Sequence, residues 1–164
     1  MTQSALTTVD AREFLVAAPP GTRLIGIDLG TKTIGLALSD AGRTIATPLE
    51  TLRRTKFTPD AEALSKLAKQ HAVGGLVIGL PFNMDGSEGA RAQSTRAFAT
   101  NLSRLLMLPI LLWDERLSTV AVERSMIEAD MSRAKRARRV DKAAAAYILQ
   151  GALDRLAKLT SERS

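Results

Sequence analysis

The chain of 164 residues is 45% hydrophobic, enough to bury the core of one domain without covalent staples, and it has no cysteine, which excludes disulfide frameworks, thiolate metal sites and cysteine nucleophiles. Lysine and arginine outnumber acids 23 to 17, and the net charge of +6 favours a polyanionic partner. The longest apolar stretches, LLMLPILLW and AAAAYIL, fall far short of the roughly 20 residues of a membrane span, and Pro109 splits the first, so no membrane partner is expected and a cytoplasmic location fits.

Residues 1–21, MTQSALTTVDAREFLVAAPPG, lack the basic start and apolar core of a secretory signal. They read as an N-terminal extension with one short helix after Thr7 or Thr8, stopped by Pro19-Pro20-Gly21. Residues 24–29 and 33–39 are β-prone runs joined by Gly30-Thr31-Lys32, a predicted hairpin, and SDAGR leads into a third strand over 44–53, where Pro48 marks an edge or irregularity. Thr58-Pro59-Asp60 reads as a helix start, with a capping hydroxyl, proline at the first helical position and an acid near the positive end; Gly74-Gly75 are expected to stop that helix.

LVIGLP is a short continuous apolar run, suited to a strand buried on both faces, and the turn-rich loop PFNMDGSEG follows it. A helix is predicted over 90–107, then the strand ILLW ending at Asp114-Glu115-Arg116. Ser118 or Thr119 can cap a third predicted helix to about residue 129, and an alanine-rich helix is predicted over 140–158. The order βββ-α-β-α-β-α-α implies an α/β domain over 22–158, with 159–164 as a tail. Its predicted sheet is mixed and five-stranded: a three-strand antiparallel meander plus two parallel strands reached through helical crossovers.

In such sheets sites lie beyond the strand ends. Asp28 stands near the end of the first of these strands, Asp114 and Glu115 end the last, and Asp141 starts the final helix. Carboxylates from separate segments repel unless a cation compensates them, and a hard divalent ion with oxygen ligands is the natural compensation. Each acid also has an ordinary reading. Asp28 can accept hydrogen bonds from the turn amides, Asp114 and Glu115 can pair with Arg116 or cap the next helix, and Asp141 can favour a helix N-terminus. The turn DLGTKTIG is also similar to the phosphate-gripping hairpin of actin-like and sugar-kinase ATPases, but those need two lobes and this chain supplies one. A single histidine, His71, excludes a histidine metal cluster, and Trp113 reads as core. The run RAKRARRVDK holds six cations and one acid, and is either a solvated face or a track for phosphates.

Four segments, GIDLGTKTIGLALSD, VIGLPFNMDGSEG, WDERLST and VDKAAAAYILQ, occur in this order over about residues 22–157 and resemble the YqgF family, also called RuvX: the pre-16S rRNA nucleases, or Holliday-junction-resolvase-like proteins. The resemblance implies a ribonuclease H-like fold, in agreement with the strand order, and metal-dependent phosphodiester hydrolysis in 5′-end maturation of pre-16S rRNA. Junction resolution in DNA recombination is the rival within nucleases, and a non-catalytic nucleic-acid-binding protein the rival outside them. Carried onto this sequence, the family's acids fall on Asp28, Glu115 and Asp141, with Asp114 as a substitute or fourth ligand, around one or two Mg²⁺ or Mn²⁺ ions. Lys32 would neutralise substrate phosphate, Arg116 would do so or orient Glu115, and Arg133, Lys135, Arg136, Arg138 and Arg139 would track the phosphate backbone. The loop 83–89 would border the site. The implied partner is RNA, pre-16S rRNA on the ribosome, or branched DNA, bound by a monomer or homodimer; symmetric cutting of a junction asks for the dimer. Thr33 departs from the pattern, since many relatives resemble GTKRIG where this chain has GTKTIG.

Overall fold

The computed structural model describes residues 5–117 and 133–162, the side chains of 133–141 excepted. The elements are β1 (Leu6–Thr8), α1 (Ala11–Ala17), β2 (Arg23–Leu29), β3 (Thr33–Ser39), β4 (Ala46–Arg53), α2 (Phe57–Gln70), β5 (Val73–Leu80), α3 (Ala90–Leu106), β6 (Pro109–Asp114), a 3-10 turn (Glu115–Leu117) and α4 (Arg133–Glu162). The helix expected from Ser118 or Thr119 to about residue 129 lies outside the described residues.

The strands form one sheet in the order β1-β6-β5-β2-β3-β4. The meander β2-β3-β4 is antiparallel, and β5 and β6 add beside β2 in parallel, as expected from the helical crossovers. The sheet has six strands rather than five, because the N-terminal extension pairs with β6 through Leu6↔Pro109, Thr7↔Ile110 and Thr8↔Leu111. A three-residue edge strand is too short to show a periodicity in sequence. The expected short helix follows as α1, capped by Asp10, whose carboxylate accepts from Arg12 N–H at 2.8 Å, and it drives Phe14 fully into the core.

Strand alternation separates two cores. Ile25, Ile27, Ile34, Leu36, Ile78 and Ile110 face α2 and α3, while Leu24, Ala37, Val77 and Leu111 face α4 and Phe14. The α4 side is floored by small residues. A Cβ on Gly26 would lie 2.6 Å from Leu149 Cβ and 2.8 Å from the Ala145 carbonyl oxygen, so the helix rests on bare strand backbone. It runs beyond the expected 140–158 at both ends, and Leu159 is buried.

Two boundaries differ from expectation. Thr58 does not cap α2; the helix begins at Phe57, and the buried Asp60 reaches back to accept from Thr55 N–H at 3.0 Å and its hydroxyl at 2.7 Å. The helix ends at Gln70, where Ala72 takes φ +53°, and Gly74 and Gly75 belong to β5. They serve close approach there, since a Cβ on Gly75 would lie 2.7 Å from the Phe14 ring and one on Gly74 2.0 Å from Thr22 Oγ1. Among the described residues no helix is long and apolar enough to cross a membrane.

Candidate active site

The parallel strands β2, β5 and β6 end together. The register Ile27↔Ile78 places Asp28 beside Gly79 one step further on, and Gly79 pairs with Trp113. Because Gly26 faces α4, Asp28 two residues later faces α4 as well. Its residue is only 8% exposed, and its partner across β3 is Gly35. A carboxylate in such a place keeps its charge only when hydrogen bonds or a cation compensate it.

Glu115 is the first residue past β6, and its side chain folds back over β5. Its Oε1 lies 2.7 Å, and its Cγ 3.0 Å, from where a Cβ on Gly79 would stand. The missing side chain of Gly79 is therefore the seat of the Glu115 carboxylate, one strand spacing, about 4.8 Å, from the strand that carries Asp28.

Asp114, adjacent in sequence, goes the other way. Pleating turns it to the face opposite Trp113, which packs on α4 against Gly151. Arg116 holds its carboxylate through Nε at 3.1 Å, Nη2 at 2.8 Å and the backbone N–H at 2.9 Å. These bonds keep the Asp114 carboxyl below the usual carboxylate range and raise the Arg116 guanidinium in return. The Arg116 guanidinium also lies 4.8 Å from the Phe82 ring centroid and attracts Asp85. It thus ties the loop 81–89 to the end of β6. That loop is ordered from within: Asn83 N–H donates to Ser87 O at 2.8 Å, and Asp85 accepts from Ser87 N–H at 2.9 Å and Ser87 Oγ at 2.6 Å, which lowers the Asp85 carboxyl below its ordinary range.

The structure therefore brings Asp28 and Glu115 to one face and sets Asp114 on the other. Asp141 lies more than two turns into α4, so a first-turn dipole effect does not account for it, and it comes one turn before Ala145, whose carbonyl covers Gly26. The side chains of Asp141, Arg133, Lys135, Arg136, Arg138 and Arg139 lie outside the described part. Among the described residues no three His, Cys, Asp or Glu side chains converge as a metal cluster. The two carboxylates on that face, Asp28 and Glu115, are hard oxygen donors of the kind Mg²⁺ and Mn²⁺ take. His71 sits apart, as the C-cap of α2.

The β2–β3 turn is closed by Gly30 N–H donating to Thr33 O at 2.9 Å. It is braced from outside by Arg54, whose N–H donates to Lys32 O at 2.8 Å and whose Nη1 donates to Gly30 O at 2.6 Å. Arg53, Arg54 and Lys56 thereby join Lys32 at the sheet end that carries Asp28, a grouping that sequence reasoning missed. The available signal was the run RRTK at the end of a strand. Gly79 was missed too, although a lone glycine inside LVIGL marks a close approach to the strand.

A family model described as "RuvX: Holliday junction resolvase" matches residues 22–155. A Cereibacter sphaeroides protein named "Putative pre-16S rRNA nuclease" is 63% identical over 152 residues, covering 93% of this chain and 95% of that one. A Paracoccus denitrificans protein of the same name is 63% identical over 143 residues, covering 87% and 90%. Among solved structures, T. thermophilus RuvC in complex with a Holliday junction substrate superposes with a TM-score of 0.54 at 13% identity, over 83% of this chain and 96% of that one. At that identity the likeness is one of fold, and it bears out the expected ribonuclease H-like class.

Proposed function

The chain belongs to the RuvX family, and from that membership we propose that it is a cytoplasmic, metal-dependent nuclease that hydrolyses phosphodiester bonds of RNA in 5′-end maturation of pre-16S rRNA. The observation that carries the proposal is the Glu115 side chain laid over Gly79, on the strand next to the one that buries Asp28.

Nucleases of this kind generally use divalent metal ions. Asp28, Glu115 and Asp141 would hold Mg²⁺ or Mn²⁺ here, and a bound ion supplies a Lewis acid for the phosphodiester and a water of lowered pKa for in-line attack. The chain's own residues provide the frame. Asp28 is fixed by β3 on one side and β5 on the other, which suits it as the shared ligand. Glu115 would join it from the end of β6, and Asp141 would complete the set from α4, the helix whose height above the sheet is set by Gly26. Asp114, expected as a substitute or fourth ligand, serves in this reading as the anchor of Arg116. Lys32 would neutralise substrate phosphate at the turn, and Arg133, Lys135, Arg136, Arg138 and Arg139 would track the backbone by sequence-independent contacts.

The family's description as a Holliday junction resolvase supports a second reading, cleavage of branched DNA by a homodimer. Precursor 16S rRNA, duplex RNA and four-way DNA junctions, incubated with the purified chain in Mg²⁺, Mn²⁺ or chelator, separate the two. The expected result is metal-dependent cutting of the precursor that Asp28→Asn abolishes. Equal cutting by wild type and that variant would overturn the nuclease reading, and preferential cutting of junctions would replace the substrate.

A further inference from the structure

We infer that Lys32, Arg53 and Lys56 form a phosphate-binding ridge beside the acids, which grips the backbone of the nucleic acid strand on the far side of β2 from Glu115. The inference takes the identity of its polyanion from the nuclease reading. All three cations are exposed, and among the described residues none makes an ion pair, whereas Arg12, Arg96 and Arg116 are each matched with a carboxylate. Asp60, four residues after Lys56, does not neutralise them; it is buried and engaged by the amide and hydroxyl of Thr55.

Their placement follows from the register. Asp28, Gly35 and Thr51 form one row across β2, β3 and β4, and Arg53 lies two residues beyond Thr51, opposite Thr33 and on the face that Asp28 shares. Two strand spacings separate β4 from β2, about 10 Å, which is within reach of phosphates flanking the one attacked at Asp28. Lys32 occupies the β2–β3 turn between them, and Lys56 precedes the first residue of α2.

The ridge stands on a stiff base. Arg54 points inward, bonded to both Gly30 O and Lys32 O, with its guanidinium 5.6 Å from the Phe98 ring centroid. Phe98 in turn meets Phe57 edge-on at 5.5 Å. Turn, strand end and helix start are therefore held as one unit, and cations mounted on an ordered backbone lose little further freedom on binding. Phe57, the aromatic ring in this stretch, is half-buried and engaged by Phe98, so the ridge offers charge and no stacking platform. Its chemistry suits phosphates and ignores base identity.

The test is the salt dependence of binding. A labelled oligoribonucleotide is titrated in chelator over a series of KCl concentrations with wild type, with Lys32→Gln/Arg53→Gln/Lys56→Gln, and with Lys66→Gln/Lys69→Gln/Arg104→Gln as a charge-matched control. Loss of three phosphate contacts on a single strand lowers the slope of log K against log salt by about two. The control is expected to change the slope far less. An unchanged slope in the ridge variant, or an equal fall in the control, would overturn the inference. Metal-dependent cutting by wild type is scored separately, so a ridge that binds in a chain that does not cut would reject the nuclease reading alone.

Discussion

Gly26 and Gly79 lie on neighbouring strands, on the same face, under the same helix, yet they do different things. A Cβ on Gly26 would strike Leu149 Cβ and the Ala145 carbonyl oxygen, atoms that cannot move without moving α4. A Cβ on Gly79 would strike Ile148 Cδ1 and Glu115 Oε1, the free ends of flexible side chains. The first glycine sets how close a helix lies to the sheet, and the second leaves room for a carboxylate. What an added methyl displaces decides whether its cost falls on folding or on the site.

Substitution at each position sharpens that contrast. Gly26→Ala is expected to cost about 3 kcal/mol through overpacking, a fall in Tm of roughly 10 °C read by calorimetry. Gly79→Ala is expected to cost only about 1 kcal/mol, while Mn²⁺ affinity drops on the order of tenfold or more because Glu115 loses its seat. A large stability loss at Gly79 with unchanged Mn²⁺ binding would erase the distinction. Arg116→Ala is expected to release the loop tied to β6: amide exchange over residues 83–87 accelerates, with little change in global stability because the pair is solvent-exposed.

The smallest effect is at the far end of the sheet, at Asp40. Its carboxylate accepts from Thr44 and Ile45 N–H and from Thr44 Oγ1, and these bonds lower its pKa to about 2. A depressed acid stabilises the fold above its unfolded value of 3.8 and loses that contribution as pH falls towards 2. The stability gap between wild type and Asp40→Asn is therefore expected to close across that window in acid unfolding curves.

Much of this arrangement was legible in the residues. The hairpin through Gly30-Thr31-Lys32, the two crossover helices and the placement of Asp28 and Glu115 at strand ends follow from hydrophobic runs and turn formers. What escaped depends on contacts distant in sequence. β1 is three residues long and exists because the edge of β6 is open to it. Gly74-Gly75 look like a helix stop until Thr22 and Phe14 are seen against them. Asp114 and Glu115 could not be told apart in sequence, because the difference lies in where the strand ends: Asp114 still follows the pleat to the reverse face, and Glu115, already in the turn, folds back over Gly79.

Mn²⁺ binding isotherms of Glu115→Gln and Asp114→Asn read out that division between neighbouring acids. Glu115→Gln is expected to weaken binding strongly and Asp114→Asn to leave it at the wild-type level. Loss of binding in Asp114→Asn with wild-type affinity in Glu115→Gln would contradict it.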